Sequence, residues 1–175
     1  KNAFCAIRPP GHHAEPTIPM GFCVFNSIAV GAAQARSRHG MERIAVVDFD
    51  VHHGNGTQAA FQNDPNLFYA STHQSPLYPG TGSPRETGIR NNIVNAPLPP
   101  GAGSDLFREA MALRVLPALQ RFAPEFLLVS AGFDAHRDDP LAGLRLTDDD
   151  YRWVTGELAR VADICCGGRI VSALE

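Results

Sequence analysis

Two runs in this sequence, IAVVDF at 44–49 and FLLVSA at 126–131, are apolar at nearly every position. A strand with one wet face alternates polar and apolar residues. A strand that is apolar throughout is covered on both faces, as in a parallel sheet held between helices. Segments of helical period fill the intervals, so the chain reads as alternating strands and helices. Strands are predicted at 3–7, 43–48, 67–71, 92–96, 126–131 and 169–174. Helices are predicted at 24–38, closed by Gly40, at 57–62, at 104–122, and from Thr147 to about Cys165, where Gly167 and Gly168 stop it. A loop rich in Pro and Gly spans 75–90. The predicted class is α/β, with a mostly parallel sheet and helices on both faces. With 175 residues, 44% of them apolar, the chain can bury one substantial core.

Composition narrows the partners. The net charge is -3 and the 15 Lys and Arg are scattered, so no basic patch points to nucleic acid. No apolar stretch is long enough to span a bilayer, and no signal-like segment opens the chain. The cysteines, Cys5, Cys23, Cys165 and Cys166, lack CxxC spacing and read as small buried hydrophobes in a reducing compartment. These features predict a cytoplasmic protein.

In an open parallel sheet, ligands bind outside the carboxyl ends of the strands. Residues that a turn does not need gather there: His12 and His13 after the first strand, DFDVHH at 48–53 after the second, and Asp134 after FLLVSAGF. Asp50 and His52 are two apart, which in an extended segment puts both side chains on one side. With Asp134 they make two carboxylates and an imidazole, a set suited to zinc with a coordination position left open. Any one of these residues alone would read as a turn cap. His12 and His13 offer either a second metal site or a general base that returns its proton to a leaving amine. Asp48 and Asn55 are placed to orient one imidazole each.

The segments RPPGHHA, MGFCVFN, DFDVHHGNGTQ, PLYPGTG and SAGFDAHRDDPLAG, in this order, resemble the zinc-dependent histone deacetylases, in the branch of class II enzymes and bacterial deacetylase-like amidohydrolases. The resemblance implies an arginase-like three-layer α/β fold and hydrolysis of acetylated amines, usually acetyl-lysine. It implies that Asp50, His52 and Asp134 bind zinc and that His13, of the histidine pair, transfers the proton. It further implies a substrate tunnel walled by Phe22 and Tyr78, with Leu141 at the rim and the Gly21 carbonyl accepting from the substrate amide. Two monovalent cation sites, for potassium, are also implied, one at Asp48, Asp50, His52, Ser71 and Thr72, largely through main-chain oxygens, the other near Phe61, Asp64 and Leu67.

Departures from the family pattern bear on the chemistry. Asn55 stands where class I members have Asp, so the imidazole it meets lacks a negative partner and its pKa is expected lower. Tyr78 replaces a more common Phe. The family continues past the last strand with Gly-Gly-Tyr, whereas this sequence ends at Leu174-Glu175, so residues 1–175 are expected to be part of a catalytic domain that also has an upstream region. Such a part could expose sheet edge and pair with another chain. Alternatives remain: an acetylpolyamine amidohydrolase, a two-metal ureohydrolase on the same fold, or a non-catalytic acyl-group binder. Asp134-Ala135-His136 lacks the second acid a two-metal site needs.

Overall fold

Every strand pairing among the described residues is parallel, so the sheet is more uniform than the sequence predicted. The computed structural model describes residues 2–175. Its elements are β1 (Asn2–Cys5), α1 (Ser27–His39), β2 (Ile44–Asp48), α2 (Asn55–Phe61), β3 (Leu67–Gln74), β4 (Ile93–Leu98), α3 (Ser104–Ala110), α4 (Leu116–Phe122), β5 (Phe126–Ala131), α5 (Asp148–Cys166) and β6 (Ile170–Leu174). The strands lie in the order β1-β6-β5-β2-β3-β4.

Both faces of β2 are sealed, and all its residues are buried. Ala45 and Val47 face a core built with α3, α4 and α5, where Phe107, Leu119, Val154 and Leu158 are at most 1% exposed. Ile44 and Val46 face the opposite layer, against Ile28 and Ala32 of α1 and Phe61 of α2. Each fully buried Val or Ile contributes about 1.5–3 kcal/mol relative to an exposed one, and this double burial is what the unbroken apolar runs encode. Among the described residues, no helix is long and apolar enough to cross a membrane.

Where elements differ from expectation, local chemistry explains it. Helix α1 starts at Ser27 because Asn26 caps it, its side chain accepting from the Ala29 N–H at 2.9 Å. Strand β3 runs to Gln74 rather than ending near residue 71, because β4 pairs with it through Gln74 and Leu98. Its polar end is nevertheless buried, with the His73 ring between Ser71 Oγ (2.9 Å) and the Gly82 carbonyl (3.2 Å). The predicted single helix 104–122 contains a π segment at Met111–Val115, just before Pro117. Proline has no N–H to donate to the preceding turn and its ring crowds the carbonyl four residues back, so the helix widens there. Of the cysteines, Cys23 and Cys166 are buried, while Cys5 and Cys165 are half-buried; none is paired.

Asp150 anchors the start of α5 to α3. Its buried carboxylate accepts from the Thr147 N–H and hydroxyl (both 2.9 Å), from Ser104 Oγ (2.7 Å) and from Arg108 Nε (2.7 Å). Replacing Asp150 with Ala strands these donors and should destabilise the fold by about 2–4 kcal/mol in urea unfolding. A loss under about 0.5 kcal/mol would show that the network contributes little.

Candidate metal centre

The sheet order creates the site. From β2 the chain moves outward through β3 and β4, then returns to β5 on the other side of β2, so the connections leaving β2 and β5 diverge between neighbouring strands. A crevice opens at such a switch point. The loop after β2 delivers Asp50 and His52, and the loop after β5 delivers Asp134. Donor atoms of these three residues lie within 4.8 Å of one another, and this is the cluster of metal-capable side chains found among the described residues.

Asp50 and His52 converge by a different route from the one predicted. Strand β2 ends at Asp48, and the chain then bends, with Asp50 Oδ1 accepting from the His52 N–H at 2.8 Å. A side-chain turn replaces the extended pleat, as aspartate favours. His52 Nδ1 then sits 3.0 Å from both Asp50 Oδ1 and Asp134 Oδ2, and Asp134 Oδ1 is fixed by the Val51 N–H at 2.9 Å. Burial pulls the His52 pKa down, but the Asp134 and Asp50 carboxylates outweigh it and raise the pKa to about 9. A divalent metal bound by the same three ligands would compete with a proton at that nitrogen. Two carboxylates and one imidazole, partly open to a cleft, fit such an ion.

The paired histidines lie beside the triad, with ring centroids 4.1 Å apart and planes tilted by 45°, and have different partners. His12 Nδ1 lies 2.9 Å from Asp48 Oδ2, and both residues are buried. Burial lowers the His12 pKa, but Asp48 and Asp50 hold it well above its ordinary value. His13 Nδ1 meets Asn55 Oδ1 at 2.9 Å, while Asn55 Nδ2 donates to Glu15 Oε1 at 2.9 Å, which fixes which end of the amide faces the ring. Burial first, and then the neighbouring His12, lower His13 to about 4, the direction expected for an imidazole with a neutral partner.

A cleft of about 430 Å³ leads to these groups, and its lining includes Gly21, Phe22, Tyr78 and Leu141. Phe22, Tyr78 and Leu141 are 90%, 46% and 67% exposed, so none of the three is core packing. Tyr78 meets the His13 ring edge-on at 5.1 Å. Gly21 has φ +57°, and a Cβ there would lie 2.2 Å from His13 Cδ2, so the position has room for glycine alone. Phe22 follows at φ +63°, a conformation costing a bulky residue about 1–3 kcal/mol and found mostly at functional sites.

Several contributors escaped the sequence reading. Glu175 Oε2 accepts from the Gly11 N–H (2.6 Å) and the His12 N–H (3.0 Å), and its Oε1 from Ser130 Oγ (2.7 Å), so it ties the histidine loop to the sheet. Tyr69, inside the strand predicted at 67–71, donates its hydroxyl to Asp48 Oδ2 at 3.0 Å. A lone Glu after a strand carries no signal, and a Tyr in an apolar strand reads as packing. Two histidines do not join the triad. His53 is held by Thr81 Oγ1 and Gln58 Oε1, and His136 faces Asp138 and Asp148. Among the described residues, no second cluster of metal-capable side chains lies beside the first.

The implied potassium sites fare differently. At the inner one, Asp48, Ser71 and Thr72 are buried, and Thr72 Oγ1 has no hydrogen-bond partner among the described residues, so one buried oxygen there has spare capacity for a cation. At the outer one, the carbonyls of Phe61, Asp64 and Leu67 converge on the side-chain nitrogen of Asn92.

A family model described as "Histone deacetylase domain" matches residues 1–175. The chain belongs to this family. The domain is 50% identical over 175 residues to "Histone deacetylase 10, chloroplastic" of Oryza sativa subsp. japonica, covering 98% of this chain and 40% of the relative. A solved structure, the HDA15 HD domain, superposes with a TM-score of 0.93 at 40% identity, over 100% of this chain and 50% of the other. The acetylpolyamine aminohydrolase from Burkholderia pseudomallei superposes with a TM-score of 0.88 at 34% identity, over 99% and 51%. The histone deacetylase domain described here thus spans about half the length of the proteins it matches.

If Asp50, His52 and Asp134 hold one ion, Asp134→Ala should lower bound divalent metal after desalting from near stoichiometric to background, measured by elemental analysis. Full retention by a folded variant would refute the shared site.

Proposed function

We propose that this chain forms the metal-binding part of a zinc-dependent deacetylase that hydrolyses the acetyl amide of acetyl-lysine or a related acetylated amine. The observation that carries the reading is the juxtaposition of the Asp50–His52–Asp134 cluster with two imidazoles that have unlike partners, at the end of an apolar-rimmed cleft. Zinc is the ion we assign to the cluster, with potassium at the inner position beside Asp48 and Thr72. Zinc bound there supplies a Lewis acid for the amide carbonyl and makes water nucleophilic at neutral pH.

The chain's own groups divide the remaining work. The Asn55 oxygen only accepts, so His13 Nδ1 carries the proton and Nε2 presents a lone pair. That nitrogen can take a proton from the attacking water and return it to the departing amine. His12, held by Asp48 at 2.9 Å, stands beside it and helps to orient the reacting groups. Phe22 and Tyr78 flank the aliphatic stem of the acetylated side chain, Leu141 covers the rim, and the Gly21 carbonyl accepts from the substrate amide.

A second reading, an acetylpolyamine as substrate, is supported by the likeness to the Burkholderia pseudomallei enzyme and by the carboxylate of Asp139 lining the same cleft. A second cationic amine along a polyamine would find that carboxylate favourable. For location we propose a reducing, aqueous compartment. The cytoplasm fits the unpaired cysteines, and the plastid named for the rice relative would serve equally.

The test assays the complete protein, with and without a chelator, on acetyl-lysine peptides and on acetylpolyamines. Turnover should be abolished by the chelator and restored by zinc. His13→Ala should lower kcat by about 10²–10⁴ while leaving metal content unchanged, the range for losing a general acid–base. Chelator-resistant turnover, or a His13→Ala variant at full rate, would overturn the reading.

A further inference from the structure

The geometry at Asn92 points to a side-chain amide that occupies the position of the outer monovalent cation. Asn92 lies between the 3₁₀ turn Ile89–Asn91 and β4, and it is buried. Its Nδ2 is 2.9 Å from the Phe61 carbonyl, 3.0 Å from that of Asp64 and 2.7 Å from that of Leu67. These carbonyls belong to the connection from α2 to β3, and they converge on one point. An ion coordinated by all three would have to stand where the amide nitrogen stands. The two are mutually exclusive, so the residues present do not fit the implied ion.

The orientation of the amide is fixed by chemistry. Three carbonyl oxygens only accept, so the end that faces them must be the NH₂ group. That group has two hydrogens for three acceptors, which are therefore shared. The Phe61 and Asp64 carbonyls also take the Asp64 and Leu67 N–H groups, both at 3.1 Å, so the amide serves their second lone pairs. The Asn92 Oδ1 is left buried without a partner. An amide that leaves its own oxygen unpaired is held in place by what its nitrogen gains.

The surrounding backbone is shaped around this side chain. Gly88 has φ +63°, and a Cβ there would lie 2.2 Å from Asn92 Oδ1. Arg90 and Asn91 also take positive φ, at 56° and 58°. The turn is pinned a second time by the Ile89 N–H on the Gln62 carbonyl at 2.9 Å. Asn92 is thus an internal clip between the 61–67 and 88–92 segments, with the role a bound cation would otherwise have. Potassium sensitivity of this chain is confined to the inner position. The inference does not depend on the activity proposed above.

Crystals of the complete protein grown with thallium(I) in place of potassium would show this directly by anomalous scattering. The parent should show no thallium peak at the Phe61, Asp64 and Leu67 carbonyls, while Asn92→Ala should gain one there. Asn92→Asp keeps the shape of the side chain but removes the donor, and it should gain the same peak if the alanine variant does not fold. In solution, potassium in place of tetramethylammonium should raise the unfolding midpoint of either variant more than that of the parent, because any effect of the inner position is common to all. A thallium peak at those carbonyls in the parent, with the Asn92 side chain displaced, overturns the inference. So does the absence of a peak in both variants, or an equal potassium effect in all chains.

Discussion

Negative charge buried at one edge of a sheet is the constraint from which the rest of this structure follows. Asp48 is fully buried and Asp50 nearly so, and an isolated carboxylate in such a place costs several kcal/mol in lost hydration. The fold offsets this with a dense set of donors. Asp48 takes His12, the Tyr69 hydroxyl and the Asp50 N–H; Asp50 takes the His52 ring and N–H; Asp134 takes the Val51 N–H and the His52 ring. The set is still rich in acceptors on the cleft side. A cation satisfies it where further neutral donors would not.

Parallel strands are what make that concentration achievable. When neighbouring strands run the same way, the loops leaving β1, β2 and β5 all emerge on one side, and residues far apart in sequence meet without long excursions. The cost is that each strand must be covered on both faces, which the two helical layers supply. The helices therefore serve the site indirectly. They stabilise a sheet whose one open edge is reserved for polar groups.

Legibility in the sequence followed the range of the interactions. The unbroken apolar runs at 44–49 and 126–131 announced the sheet and its layers, because double burial leaves a composition that no other arrangement explains. Asp50, His52, Asp134 and the two histidines could be read as one site, because so many metal-capable side chains exceed what turns require. Family resemblance added the expected rim, where Phe22 and Leu141 are too exposed to be core. What remained hidden depended on contacts between distant segments. The grip of Glu175 on the Gly11 and His12 amides joins positions some 160 residues apart, and nothing local marks it. Asn92 read as the start of a strand, since a side chain that bonds three carbonyls of another loop looks the same in sequence as one that caps its own turn. The π segment before Pro117 was missed because helical period averages over one residue of slack.

The central claim is that one divalent ion is held by two carboxylates and one imidazole, with no sulfur, at this edge of the sheet. X-ray absorption at the zinc edge, on protein loaded with one equivalent of zinc, tests it without reference to any activity. The account predicts a shell of oxygen and nitrogen scatterers at about 2.0–2.2 Å, with the outer-shell pattern of a single imidazole. A sulfur scatterer near 2.3 Å, or the signature of several imidazoles, would place the metal elsewhere in the chain and contradict the account.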